Sequence, residues 1–373
     1  MRVVVAPDKF KGSATAAEVA AAITAGLRRE RPDLEITQVP VADGGDGTVM
    51  AALAAGFAPV RVTADGPVGE TVETTYAVRD GTAVIELADV AGLRRLPAGP
   101  APLTASTYGV GQVIGAALAD ARRIVLGIGG SASTDGGAGM VQALGVRLTD
   151  ARGRDLGRGG AALAGLAAVD PSCLDPRIAA ATILVASDVD NPLLGPSGAA
   201  TVFGPQKGAS EADVAVLEAA LARWAALTRS ATGNDVAGLP GAGAAGGTGF
   251  AALAYLGASL VPGAPLLLGL VGLNAALEGA DLVITGEGSL DRQTLGGKAP
   301  VGVARAAAGA GVPVVVVAGR IELTAAELAG AGFAGAHALT DLEPDQSVSM
   351  ARAACLLTET GALIAAGLQG DTP

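Results

Sequence analysis

Lysine is nearly absent from this chain: of 25 basic residues only Lys9, Lys11, Lys207 and Lys298 are lysine. Each stands by a glycine-rich turn, in Asp8-Lys9-Phe10-Lys11-Gly12-Ser13, Gly204-Pro205-Gln206-Lys207-Gly208 and Gly296-Gly297-Lys298. A compact ammonium on a flexible stem is a different tool from a planar guanidinium, and phosphate cradles often use the former. Chance placement competes with this reading, because the chain holds 56 glycines.

A second candidate is the run Gly127-Ile128-Gly129-Gly130-Ser131-Ala132-Ser133-Thr134-Asp135-Gly136-Gly137-Ala138-Gly139, which overlaps the end of the apolar segment Ile124 to Ile128. Strand, glycine loop and helix in succession aim backbone N–H groups and a helix N-terminus at an anion. Gly129, Gly130, Gly136 and Gly137 would supply the backbone, and Ser131, Ser133 and Thr134 the hydroxyls. A plain strand-to-helix turn explains the same glycines. The spacing is not that of a dinucleotide-binding fingerprint, and no G-x-x-x-x-G-K-[ST] loop occurs, since Ala299 follows Lys298.

Acidic residues follow three strand candidates. Asp43 and Asp46 come after Ile36 to Val41, Asp188 and Asp190 after Ile183 to Ala186, and Glu287 and Asp291 after Leu282 to Thr285. The carboxyl ends of parallel strands are where open α/β sheets bind ligands. Such oxygens suit Mg²⁺, which takes one or two carboxylates together with phosphate oxygens. A turn explains any single Asp-Gly equally well. His337 is the one histidine, and its small, apolar neighbours read as packed interior. With histidine-based acyl chemistry thereby disfavoured, carboxylate, lysine and Mg²⁺ chemistry remains, which suffices for phosphoryl transfer.

These residues need a scaffold. Strand candidates at Val3 to Ala6, Ile36 to Val41, Ile124 to Ile128, Ile183 to Ala186, Leu282 to Thr285 and Val314 to Val317 are mostly uninterrupted apolar runs, which predicts strands covered on both faces. Helical stretches between them predict an α/β fold with mainly parallel sheets. Thr15-x-x-Glu18 reads as a capping box, with Val19, Ile23 and Leu27 at helical spacing and Pro32 as the stop. Alternation over Val60 to Val62, Val72 to Val78 and Ala83 to Leu87 predicts an antiparallel meander. We expect two α/β domains, a discontinuous one from residues 1–62 and 280–373 and an inserted one from 63–279.

Composition narrows the partners. A net charge of −11 and the absence of a basic, aromatic-rich stretch argue against nucleic acid. Residues 236–277 are uncharged, but Pro262, Pro265 and many glycines make buried helices a better reading than a membrane span. The chain opens on Val3-Val4-Val5 without a signal-like leader, and Cys173 and Cys355 form no Cys-x-x-Cys pair. A cytoplasmic protein with reduced thiols is expected.

The segments A-P-D-K-F-K-G-S (6–13), V-A-D-G-G-D-G-T (41–48), G-I-G-G-S-A-S-T-D-G-G-A-G-M (127–140), S-D-V-D-N-P-L-L-G-P-S-G-A-A-T-V-F-G-P-Q-K-G-A (187–209) and T-G-E-G-S-L-D-R-Q-T-L-G-G-K-A-P (285–300) resemble the bacterial glycerate kinase family, the type called glycerate 2-kinase. They run in the family's order across essentially the whole chain. The resemblance implies ATP and D-glycerate as substrates with Mg²⁺, and an active site in the cleft between the domains. It implies 2-phosphoglycerate as product, with 3-phosphoglycerate as the alternative. On that footing Lys9, Lys11, Lys207, Lys298 and the 127–139 loop become phosphate or nucleotide contacts, with Lys9 and Lys207 placed among the catalytic residues. Asp188 and Asp190 become the Mg²⁺ ligands. The residues leave open whether Asp43, Asp46, Glu287 or Asp291 orients the substrate or accepts its hydroxyl proton, and whether Arg320 holds its carboxylate. An isomerase acting on phosphorylated compounds and a non-catalytic binding module are the competing readings. The oligomeric state is not readable from the sequence.

Overall fold

The computed structural model describes residues 1–368 of the 373, so the last residues of the expected terminal domain lie outside it. Its strands are β1 (Arg2–Pro7), β2 (Glu35–Gln38), β3 (Ala58–Asp65), β4 (Thr71–Arg79), β5 (Thr82–Glu86), β6 (Arg123–Gly127), β7 (Arg147–Thr149) and β8 (Ala168–Asp170). They continue as β9 (Thr182–Ala186), β10 (Ser259–Val261), β11 (Leu282–Leu290), β12 (Val314–Ile321) and β13 (Gly335–Ala338). The chain groups into two compact units. One holds residues 1–43, 50–56 and those from 263 onward; the other holds 44–49 and 57–262. The sequence boundaries near 62 and 280 fall a few to seventeen residues later than these. The reason is that β3 pairs wholly within the second unit's sheet, while the helix Gly263–Leu270 packs on the first unit's helix Ala299–Gly309.

The first unit is a five-stranded sheet of order β13-β12-β11-β1-β2, parallel at every pairing. Its central strands are the uninterrupted apolar runs of the sequence, and Val3, Val4 and Val5 are buried. β2 is shorter than Ile36 to Val41 because Pro40 cannot donate to a ladder, yet Val39 and Val41 still donate to Val5 and Pro7 at 2.9 and 3.0 Å. The capping box forms as read: Thr15 accepts from the Glu18 N–H and Glu18 from the Thr15 N–H. The helix it opens, Ala16–Glu30, packs closely on Ala353–Gly367. A Cβ on Gly26 would lie 2.0 Å from the Thr358 carbonyl oxygen, so only glycine permits the approach.

The second unit is a six-stranded sheet of order β10-β9-β6-β5-β4-β3, with β7 and β8 as a separate ribbon. β10, β9, β6 and β5 run parallel, and β5, β4 and β3 form the antiparallel meander. Trp224, Phe250 and Tyr255 cluster in its core, Trp224 stacked on Tyr255 at 5.5 Å. The uncharged stretch 236–277 is divided between the two cores, as Ala244–Tyr255 in this unit and Gly263–Leu270 and Leu273–Leu277 in the first. No helix among the described residues is long and apolar enough to cross a membrane.

Candidate functional site

In the first unit, β1 and β11 lie side by side: β1 ends where Pro7 pairs with Gly286, the Asp8 N–H donates to the Gly286 carbonyl at 2.8 Å, and β11 runs on to Leu290. The residues just beyond that pair therefore converge on one spot. There a cavity of about 300 Å³ is lined by four carboxylates, Asp8, Asp43, Glu287 and Asp291, and four cations, Lys9, Lys11, Lys298 and Arg320. Phe10, Leu339, Met350 and Ala353 give it an apolar wall.

The carboxylates differ in what holds them. Asp8 is 4% exposed, and its Oδ1 accepts from the Lys9 N–H at 2.6 Å and lies 3.5 Å from Lys9 Nζ. Burial pushes its pKa up to about 6, against the pull of Lys9 and with a push from Asp43. Glu287 accepts the Thr294 hydroxyl at 2.5 Å, and burial raises it to about 7. Asp291 caps the short helix Arg292–Leu295 through the Gln293 and Thr294 N–H groups, with Lys298 3.9 Å away. Arg320 is exposed, donates to Ser289 and pairs with Glu322 at 3.0 Å.

In the second unit, β6 runs into the glycine loop as the sequence suggests, but the loop is turned inward. Residues 131–140 are all buried. Asp135 sits at its centre, accepting from the Thr107 N–H and hydroxyl, the Ser106 hydroxyl and the Gly137 and Gly139 N–H groups. Gly129 and Gly136 donate to the carbonyls of Gly44 and Gly246. The N–H groups of Gly129, Gly136 and Gly137, expected to face an anion, are thus spent within the protein; Gly136 is needed at φ +64° where a Cβ would strike Trp224. The following helix, Ala138–Ala143, is only six residues long. Gly130 is exposed.

Lys207 belongs to this network. It is 2% exposed and donates from Nζ to Ser131 Oγ at 2.8 Å and to the Ser133 carbonyl. Burial lowers its pKa to about 7, while Asp135 opposes the shift. Lys207, expected as a phosphate contact, is buried because its glycine-rich turn packs under the loop. The hydroxyls of Ser133 and Thr134 are buried with no hydrogen-bond partner. Such groups are costly to leave unsatisfied, which marks the loop's inner face as a place for a ligand or water.

Asp46 parts company with Asp43: it pairs with Arg94 at 2.9 Å in the second unit and does not line the first unit's cavity. Next to it, Glu86 accepts from the Gly47 and Val49 N–H groups, and burial raises its pKa to about 7. Asp188 and Asp190 stand exposed on the loop after β9. No group of three or more His, Cys, Asp or Glu among the described residues is placed to hold a metal. His337 is half-buried on β13 and outside the cavity, not fully packed. Sequence reasoning missed Asp8, Asp135 and Glu86. Asp8 and Glu86 carried the signal used elsewhere, an acid ending an apolar strand; Asp135 was read only as part of a backbone loop.

Residues 3–369 match the model of the Glycerate kinase family. The chain belongs to this family. It is 47% identical to the glycerate 2-kinase of Escherichia coli K12 over 326 residues, 86% of each chain. It is 44% identical to a glycerate kinase of Halalkalibacterium halodurans over 324 residues, covering 86% of this chain and 85% of that one. Its fold matches a crystal structure from Salmonella typhimurium LT2, provisionally assigned as glycerate kinase 2, with TM-score 0.85 and 42% identity over 99% of this chain and 98% of that one. The α/β architecture with mostly parallel sheets is therefore the family's own.

Proposed function

We propose that the protein transfers the γ-phosphoryl group of ATP to D-glycerate and yields 2-phosphoglycerate. Family membership across nearly the whole chain carries this reading. The site chemistry supports it, since phosphoryl transfer asks for positioning and charge neutralisation more than for covalent chemistry. The first unit's cavity offers cations to a small carboxylate and carboxylates to its hydroxyls, so it takes D-glycerate, with Lys9, Lys11 and Arg320 near the acid group. In the second unit, Gly130 and the unpartnered hydroxyls of Ser133 and Thr134 serve the phosphate chain, and Lys207 holds the loop.

Mg²⁺ fits the donor set of Asp188 and Asp190, two exposed carboxylates two residues apart that leave room for waters and phosphate oxygens. Bound there, it would neutralise charge on the nucleotide phosphates. A cytoplasmic location goes with this reading, since ATP is the donor.

The deciding measurement couples the reaction to enolase with no phosphoglycerate mutase present. Phosphoenolpyruvate should form at the rate of ADP release, because enolase accepts only the 2-phosphate. ADP release that gives phosphoenolpyruvate only after mutase is added would move the acceptor to the 3-hydroxyl. ADP release independent of D-glycerate would remove the kinase assignment.

A further inference from the structure

We propose that Asp8 is the catalytic residue that takes the proton of the acceptor hydroxyl, ahead of the other carboxylates around the cavity. The inference rests on the phosphoryl-transfer reading and names the base within it.

Three observations single Asp8 out. It follows β1, an inner strand paired on both sides by β11 and β2, so it stands at the carboxyl ends of an all-parallel sheet, where such sheets bind ligands. Its orientation is held by the main chain, because the Lys9 N–H donates to Oδ1 at 2.6 Å and the Asp8 N–H is tied to Gly286. Both contacts from Lys9 fall on Oδ1, which leaves Oδ2 without a hydrogen bond among the described residues. A base fixed through one oxygen with the other open to the cavity can take up a proton without rearranging.

Two of the other carboxylates are held differently, by a helix end and by a side chain rather than by the main chain of their own strand end. Asp291 is occupied as a helix cap. Glu287 is held by the Thr294 hydroxyl, and Lys298 also favours its charged form. Burial brings Asp8 to about 6 and Glu287 to about 7, so both are strengthened as bases and the main-chain hold on Asp8 is what separates them. The charged groups around it are Lys9 and Lys11 on its own segment, Asp43 after β2, Glu287 and Asp291 from β11, and Lys298 and Arg320 across the cavity.

In the step assigned to it, the acceptor oxygen forms a bond to the γ-phosphorus as the bond to the bridging oxygen breaks and its electron pair leaves with ADP. The proton of the acceptor hydroxyl passes to Asp8 Oδ2. The acceptor leaves as its phosphate ester, and the base is restored when the protonated Asp8 releases its proton to water.

The test measures ADP release against pH with ATP and D-glycerate for the unaltered protein, Asp8→Asn, Asp8→Glu and Glu287→Gln. The unaltered protein should show a rising limb of kcat/KM centred near pH 6. Asp8→Asn should lower kcat by roughly 10²–10⁴-fold, leave KM for ATP unchanged and abolish the limb. Asp8→Glu should restore part of the rate with a displaced limb, which a merely structural aspartate would not do. If Asp8→Asn fails to fold, an Asp8→Glu protein with an unaltered rate and limb overturns the assignment, and a reduced rate with a displaced limb upholds it. A folded Asp8→Asn protein that keeps its rate, or a limb lost only in Glu287→Gln, overturns it while leaving the kinase reading intact. Absence of D-glycerate-dependent ADP release in the unaltered protein overturns both.

Discussion

The cavity of the first unit and the glycine loop of the second are written in the same letters, lysine beside glycine and acid at a strand end, yet they use them differently. Around the cavity the charges face open volume, and Lys9 keeps its side chain 21% exposed. In the loop nearly every charge and N–H is matched by another protein group, with Asp135 and Lys207 wholly inside. A charged residue that faces a cavity is within reach of a ligand; one enclosed by the protein is holding a shape. The difference lies in burial, which residue type does not record.

The comparison can be broken most sharply at the two lysines. Lys9→Met should cut kcat by roughly 10²–10³-fold, about 2.7–4 kcal/mol of barrier, because a cation is lost where charge develops. Its thermal unfolding should change less than its rate, since Lys9 keeps 21% of its side chain exposed and the buried Asp8 can take up a proton when the cation is lost. A large fall in melting temperature would mean that the cavity cations are structural after all.

Lys207→Met should behave in the opposite sense. Chemical denaturation should show a loss of about 1–3 kcal/mol, because the Ser131 hydroxyl and Ser133 carbonyl lose their buried donor. Full stability with lost turnover would place Lys207 with Lys9 and erase the distinction.

Two buried groups of the second unit, Glu86 and Lys207, also predict how stability depends on pH. Glu86 rises from its ordinary 4.5 to about 7 in the fold, so its contribution is present below pH 4.5 and is lost as pH rises through 7. Glu86→Gln should flatten that part of the curve, which has a slope of at most about 1.4 kcal/mol per pH unit. Lys207 carries the other sign. Its fall from 10.5 to about 7 means that the unfolded chain holds more protons between these values, so stability rises with pH there. Lys207→Met should remove that rise. Denaturation midpoints read at several pH values test both, and a curve unchanged by either substitution would show that these groups are not desolvated.

The smallest effect concerns the exposed pair. Asp188→Asn should raise the Mg²⁺ concentration for half-maximal rate by about tenfold, the lower end of what disturbing a metal site costs. Lost activity with unaltered Mg²⁺ dependence would assign Asp188 to the substrate instead.

Much of the fold was readable in advance for a local reason. Val3 to Ala6, Leu282 to Thr285 and Val314 to Val317 are unbroken β-branched or apolar runs, which only a doubly covered strand accommodates. The Thr15–Glu18 box and the meander from Ala58 to Glu86 also depend on near neighbours, and both formed as read. The site was readable only as a set of strand ends. Asp43 and Asp46 are three residues apart in one glycine-rich segment, and the chain passes from one unit to the other between them.

The sequence by itself determined the strand positions, the parallel α/β class and the family, because periodicity, capping and ordered motifs act over short stretches of chain. Tertiary structure alone decided that Asp8 lies in the cavity wall beside Glu287, some 280 positions further along. It also decided that Lys207 is sealed under Ser131 and Ser133. Burial, and with it the pKa of a carboxylate or an ammonium, is set by groups distant in the chain that pack around it. No local pattern of residues specifies how many of those groups there will be.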